Sequence, residues 1–198
     1  MQSIEYMVLS KIKHLPKGKL LFPEDFNALG TSEAIRLALH RLEKKKEIIR
    51  VTQGIYVRPI TNKLLGIVLP SAEDVAVAIA KRDRIRTIPT GVYALNALGL
   101  STQVPMKIVL LTDGSPRVIK VGKRTIKLKK TSPKNLLAKG DISLLVIQAL
   151  KEIGMNNQTE EEEQKIINLL RNENPQHLIH DIALAPVWIQ KIMKKALQ

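Results

Sequence analysis

Apolar residues recur along this chain with two periods, and the places where one period replaces the other outline its elements. Ile4, Met7, Val8 and Ile12 share one face of a first helix. Gly18–Phe22 reads as a short extended piece, and Pro23 opens a second helix, Glu24 to Leu29, closed by Gly30. From Thr31 to Lys46 a third helix carries Ile35, Ala38, Leu39 and Leu42 at i, i+3, i+4 and i+7, a single stripe for a core. About half a turn away lie Glu33, Arg36, Leu37, His40 and Lys44, of which Arg36, His40 and Lys44 make an outward basic ridge. The segment Glu47–Pro59 then alternates around Thr52-Gln53-Gly54 as a tight hairpin, with Arg50 on one arm and Arg58 on the other.

Helix, short strand, helix, turn, helix and hairpin predict a winged helix-turn-helix over residues 1–60. In that arrangement the third helix enters the major groove and the hairpin leans on flanking phosphates. Thr31 or Ser32 caps the helix and leaves backbone N–H groups free for a phosphate. Arg36, His40 and Lys44 face the bases, while Arg50, Gln53 and Arg58 serve from the wing. The alternative for the helix alone is a solvated amphipathic surface whose charges serve solubility.

Residues 59–70 read as a connector bracketed by prolines, with enough apolar content to pack against something. Beyond it, 71–198 is expected to form a second, α+β domain with a small antiparallel sheet and C-terminal helices. Its predicted helices run from Ser71 to Arg82, from a Thr90 cap to Gly99, from Asp141 to Glu152, from a Thr159 cap to Arg171, and from Val187 to Leu197; Pro133 starts a short one. Lys107–Thr112 is a strand, and Arg117–Val121 with Thr125–Lys129 form a hairpin around Gly122-Lys123.

Charge adds a second surface to this picture. The 198 residues carry a net charge of +14, so a polyanion is the default partner. Residues 1–60 have 11 Lys/Arg against 6 Asp/Glu, 61–139 have 15 against 4, and 140–198 have 6 against 8. The middle of the chain is therefore more basic than the segment with the recognition helix. Lys120, Lys123, Arg124, Lys127, Lys129 and Lys130 concentrate that excess on the hairpin, as a second nucleic-acid or partner surface. Strand alternation puts Lys127 and Lys129 on one face and Ile126 and Leu128 on the other. A lysine-protected sheet edge is the alternative.

The remaining chemistry is sparse. With no cysteine, disulfides and thiolate sites are excluded. Neither a secretory leader nor a membrane-length apolar run is visible, so a cytoplasmic protein without membrane contact is expected. His177, His180 and Asp181 have the spacing of a fragment of a metal-dependent hydrolase site, but the other two histidines, His14 and His40, lie in the first domain, and capping or packing is the expected role. No glycine-rich phosphate loop occurs. Neither cofactor, metal nor enzymatic activity is expected.

Three stretches of the first domain carry a family likeness: Leu21-Phe22-Pro23-Glu24-Asp25-Phe26, Ala38-Leu39-His40-Arg41-Leu42-Glu43-Lys44 and Gln53-Gly54-Ile55-Tyr56-Val57-Arg58-Pro59. Here the chain resembles the winged-helix antitoxins of the AbiE type, repressors of type IV toxin–antitoxin modules. Ala80–Asp83, Ile88–Asn96 and Gly99–Pro105 are similar to the second domain of a bacterial subgroup of these proteins. The resemblance implies repression of the protein's own operon through operator DNA, a nucleotidyltransferase-like toxin encoded nearby, and an antitoxin role for the second domain. A different class of function, an RNA-binding or toxin-binding interaction protein built on the basic second domain, also fits the charge.

Overall fold

The computed structural model describes residues 2–198 and has a mixed α+β architecture of small sheets and several helices. Its contacts divide it into two compact units. One is the chain up to Ile79 together with Lys120–Lys123; the other is Ala80–Ile119 with Arg124–Gln198.

In the first unit α1 (Ile4–His14) starts at Ser3, whose Oγ accepts the Tyr6 N–H. β1 (Leu20–Leu21) leads to Pro23–Leu29, expected as an α-helix but wound as a 3-10 helix. Asp25 accepts the Phe22 N–H at 2.8 Å, and Pro23 stands in the first turn, where its missing donor costs nothing. A segment this short gains little from α-helical winding, and the tighter turn suffices to drive Phe26 into the core. α2 (Ser32–Lys44) is capped by Thr31, whose Oγ1 accepts from the Ala34 N–H. β2 (Ile49–Thr52) and β3 (Ile55–Val57) form a hairpin, and the antiparallel sheet runs β1-β3-β2. Central β3 is buried along its whole length. Val8, Ile12, Leu21, Phe26, Ile35, Leu39, Leu42, Ile48 and Tyr56 make one core, as the helical stripes anticipate.

The stretch 59–70 departs from expectation. It pairs as a second hairpin, β4 (Ile60–Asn62) with β5 (Gly66–Val68), and its apolar residues stay in solvent. Leu64 is 95% and Leu65 77% exposed. The Asn62 side chain explains the turn, accepting the N–H groups of Leu64 and Leu65. The division between units falls instead inside α3 (Ala72–Asp83).

A four-stranded sheet, in the second unit except for Lys120 and Val121, is ordered β6-β7-β9-β8: β6 (Thr87–Thr90), β7 (Lys107–Thr112), β9 (Arg124–Lys130) and β8 (Arg117–Val121). It was expected to be antiparallel, yet β7 and β9 pair in parallel, Lys107 beside Thr125 and Thr112 beside Lys130. The cause is that β8 passes to the outside and the hairpin returns β9 into the gap. Thr90, expected to cap a helix, ends β6; α4 (Val92–Ala97) begins at Gly91. Pro89 is tolerated because β6 lies at the sheet's edge.

α4 and α5 (Asp141–Ile153) pack against β6, and α6 (Glu160–Leu170), α7 (Pro175–Ile182) and α8 (Val187–Lys194) close a helical core around Val146, Leu150, Ile166, Leu170, Ile189 and Met193. Thr159 and Glu162 form the expected reciprocal cap of α6. Among the described residues no helix is long and apolar enough to cross a membrane.

Candidate nucleic-acid interface

On α2 the stripe Ile35, Ala38, Leu39 and Leu42 is buried, and Arg36, Leu37, His40 and Lys44 are exposed on the opposite side. The helix is therefore sided as its sequence predicts, since four apolar residues at helical spacing can only bury one face. Among the described residues Arg36 and Lys44 make no ion pair, and His40 Nδ1 lies 3.7 Å from Glu43 Oε2. By contrast, Lys45 and Arg41 on the flank toward α1 are held by Glu5, at 2.5 and 3.9 Å. Leu37, 48% exposed, stands out as an apolar group on an otherwise polar ridge. Thr31 and Ser32 are exposed at the helix start, with Thr31 engaged in the cap.

The β2–β3 hairpin turns at Gln53-Gly54, where Gly54 has φ 71°, a conformation that favours glycine. Gln53 and Arg50 are exposed. Arg50 pairs across the strand with Tyr56, whose hydroxyl burial raises its pKa while the Arg50 charge opposes the rise. Arg58, matched with Arg50 in the sequence reading, is different: it is half-buried, and its Nη1 donates to the Lys13 carbonyl at 3.1 Å. That bond ties the wing's exit to the end of α1, so Arg58 is partly a structural residue.

The six basic residues expected to act together on the central hairpin are divided by the strand pleat. Lys127 and Lys129 are exposed, with Ile126 and Leu128 buried on the other face. Arg124 and Lys130 belong to the side of Ile126 and Leu128, and Arg124 Nη2 donates to the Pro105 carbonyl at 3.1 Å. Lys120 and Lys123 are exposed and fall in the first unit. The parallel register adds a residue that the sequence reading missed. Val109 lies beside Lys127 and Leu111 beside Lys129, so Lys107, two residues before Val109, shares their face and is exposed. Only the β7–β9 pairing reveals this, and no local pattern encodes it.

Beside Lys107 is a cleft of about 610 Å³, lined by Thr90, Val104, Pro105, Met106, Val109 and Glu152 of α5. Gly91 lies beside it with φ 65°, and a side-chain carbon there would sit 3.4 Å from Glu152 Oε2. Glycine thus leaves that carboxylate room.

Of His177, His180 and Asp181, the structure brings the last two together and gives Asp181 a structural role. Asp181 is fully buried and accepts the N–H groups of Lys139 (2.9 and 3.1 Å) and Gly140 (2.7 Å); His180 Nδ1 is 2.7 Å away. Glu173 accepts from the N–H groups of Ile142 and Ser143. Two carboxylates from distant positions therefore satisfy the start of α5, whose own cap residue, Gly140, has no side chain. Among the described residues no three His, Cys, Asp or Glu side chains gather as a metal site.

The chain is similar to the RV2827C protein of Mycobacterium tuberculosis, seen in a crystal structure. The match spans 97% of this chain and 81% of that one, at 11% identity and a TM-score of 0.47. No curated protein matches it. The sequence pattern of one family does match, over residues 7–178, and on that match the chain belongs to DUF6088, a family of unknown function.

Proposed function

We propose that this protein is a cytoplasmic, sequence-specific DNA-binding repressor whose first unit is a winged helix-turn-helix. The observation that carries the reading is the outward face of α2. It holds exposed Arg36 and Lys44, neither in an ion pair among the described residues, with His40 between them, and a hairpin with exposed Arg50 and Gln53 follows directly. Arginine reads guanine in the major groove, and an exposed leucine such as Leu37 suits a thymine methyl group. Phosphate contacts from the helix start and the wing set the register.

The likeness of 21–26, 38–44 and 53–59 to AbiE-type antitoxins supports the further proposal that the protein represses its own operon as the antitoxin of a type IV module. The toxin would be a nucleotidyltransferase-like protein encoded alongside. The test is a gel-shift titration on the DNA upstream of its own gene. Arg36→Ala is expected to cost about 1–3 kcal/mol of specific binding and to relax selection at one base position. Equal retention of promoter and random DNA, or an Arg36→Ala variant that binds and selects as the wild type does, overturns the reading.

A further inference from the structure

We propose that the open face of the β7–β9 pair is a second and separate site, for single-stranded nucleic acid, with Lys107, Lys127 and Lys129 on phosphates and the adjoining cleft holding one unstacked base. Three observations carry this. The first is the unpaired charge. Lys107, Lys127 and Lys129 are exposed, share one sheet face, and have no ion-pair partner among the described residues. Like charges held this close repel one another, and a bound polyanion relieves that repulsion.

The second is spacing. Lys127 and Lys129 are two residues apart on one strand, about 6.6 Å, and Lys107 lies diagonally across from Lys127 at about 7–8 Å. These separations match the repeat of successive phosphates along a strand. The third is the cleft. Its walls at Val104, Met106 and Val109 are apolar, it is large enough for a nucleobase, and it opens beside Lys107. In a duplex the bases are stacked and paired, so only a single strand offers one to a cleft.

Glu152 gives the site a preference. A carboxylate lining a cleft beside a phosphate-binding face opposes an anion but accepts a hydrogen bond from an exocyclic amine, as carboxylates do from the cytosine amino group. The cleft therefore favours cytosine, adenine or guanine over uracil or thymine. Arg124 acts as a positioning residue: its bond to the Pro105 carbonyl fixes the 103–106 loop that forms one wall.

The site stands apart from operator binding by the first unit, and its test keeps the two apart. Full-length protein is titrated by fluorescence anisotropy against short labelled oligo(rC), oligo(rU) and oligo(dC), with duplex DNA as competitor. Oligo(rC) is expected to bind about tenfold more tightly than oligo(rU), and the ratio of oligo(rC) to oligo(dC) assigns the strand as RNA or DNA. The K107Q/K127Q/K129Q variant should lose about tenfold or more on every single strand and lower the salt slope by about two, while promoter binding persists. Glu152→Leu should equalise cytosine and uracil.

The three lysines are exposed and make no side-chain hydrogen bond or ion pair among the described residues, and an unchanged circular dichroism spectrum confirms that the variant folds. The proposal is overturned if the wild type retains no single strand, if the triple variant binds like the wild type, if duplex competes as well as unlabelled strand, or if Arg36→Ala removes single-strand binding. A cytosine preference that survives Glu152→Leu overturns the base-reading part.

Discussion

Replacing Asp181 tests whether the buried carboxylate of α7 is a structural cap. In Asp181→Ala the N–H groups of Lys139 and Gly140 lose their acceptor, and that of Gly140 is buried, whereas Lys139 is exposed and its bond only partly buried. Each stranded buried donor costs about 1–3 kcal/mol. Loss of negative charge at the start of α5 adds up to about 1 kcal/mol. Glu173 still holds Ile142 and Ser143, so the helix start is weakened and not abolished. The expected loss is about 1–4 kcal/mol, or about 4–15 °C in the melting temperature of the second unit. Urea unfolding followed by far-ultraviolet circular dichroism measures it, fitted as two transitions because the chain has two units. Asp181→Asn keeps one acceptor oxygen and should fall about midway. Added zinc should shift none of these curves. A loss below about 0.5 kcal/mol for Asp181→Ala, or stabilisation of the wild type by zinc, refutes the cap reasoning.

The two arginines of the wing should separate. Arg50→Ala should weaken promoter and random DNA alike and reduce the salt slope by about one, leaving stability unchanged. Arg58→Ala should also lower stability by about 1 kcal/mol, through the lost bond to the Lys13 carbonyl; equal stability of the two variants in urea contradicts this. The second unit should be acid-labile. Burial pushes the Asp83 carboxyl up, but the hydrogen bonds and charges of Arg82 and Arg117 outweigh it and hold its pKa below the usual 3.8. The Lys195 ammonium, aided by Gln158, holds Glu163 below its usual 4.5. Both carboxyls have depressed folded pKa values, so their stabilisation is complete above the unfolded values and disappears as pH falls through the folded ones. A melting temperature flat from neutrality down to pH about 5, then falling below about 4, is expected; a decline that starts near pH 6 points to histidine instead.

Much of the first unit is legible because its information is local. The stripe on α2, the Thr31 cap and the Gln53-Gly54 turn are each set by residues within one or two turns, and each forms as the pattern predicts. The difference between 3-10 and α-helix at Pro23–Leu29 lies below what periodicity resolves over seven residues. In the second unit the decisive contacts are distant in sequence. Asp181 reaches Gly140 and Glu173 reaches Ile142, so a helix start without a capping side chain gave no hint of what satisfies it. Pro89 disguised β6, since proline argues against a strand unless the strand is known to lie at an edge. The basic hairpin was legible as a charge cluster. Its division into two faces followed from alternation, but the place of Lys107 depended on a parallel pairing that no turn announces.

That pairing also makes the assembly of the second unit a choice between two sheets. β7 and β8 are antiparallel and joined by four residues, Asp113–Pro116, so as the chain emerges they can zip together into a meander β7-β8-β9 before β9 exists. The native order instead joins β8 and β9 across two residues and sets β9, not β8, against β7. Local hairpins close in microseconds, whereas the parallel contact from Lys107 to Thr125 waits on a longer loop. What favours the native order is where the apolar side chains fall. β9 carries Ile126 and Leu128, both buried, and needs a neighbour on each side; β8 exposes Val118 and Lys120 and can stand at the edge. The strand with the most to bury takes the middle, and a chain that has zipped the wrong way must reopen before β9 can enter.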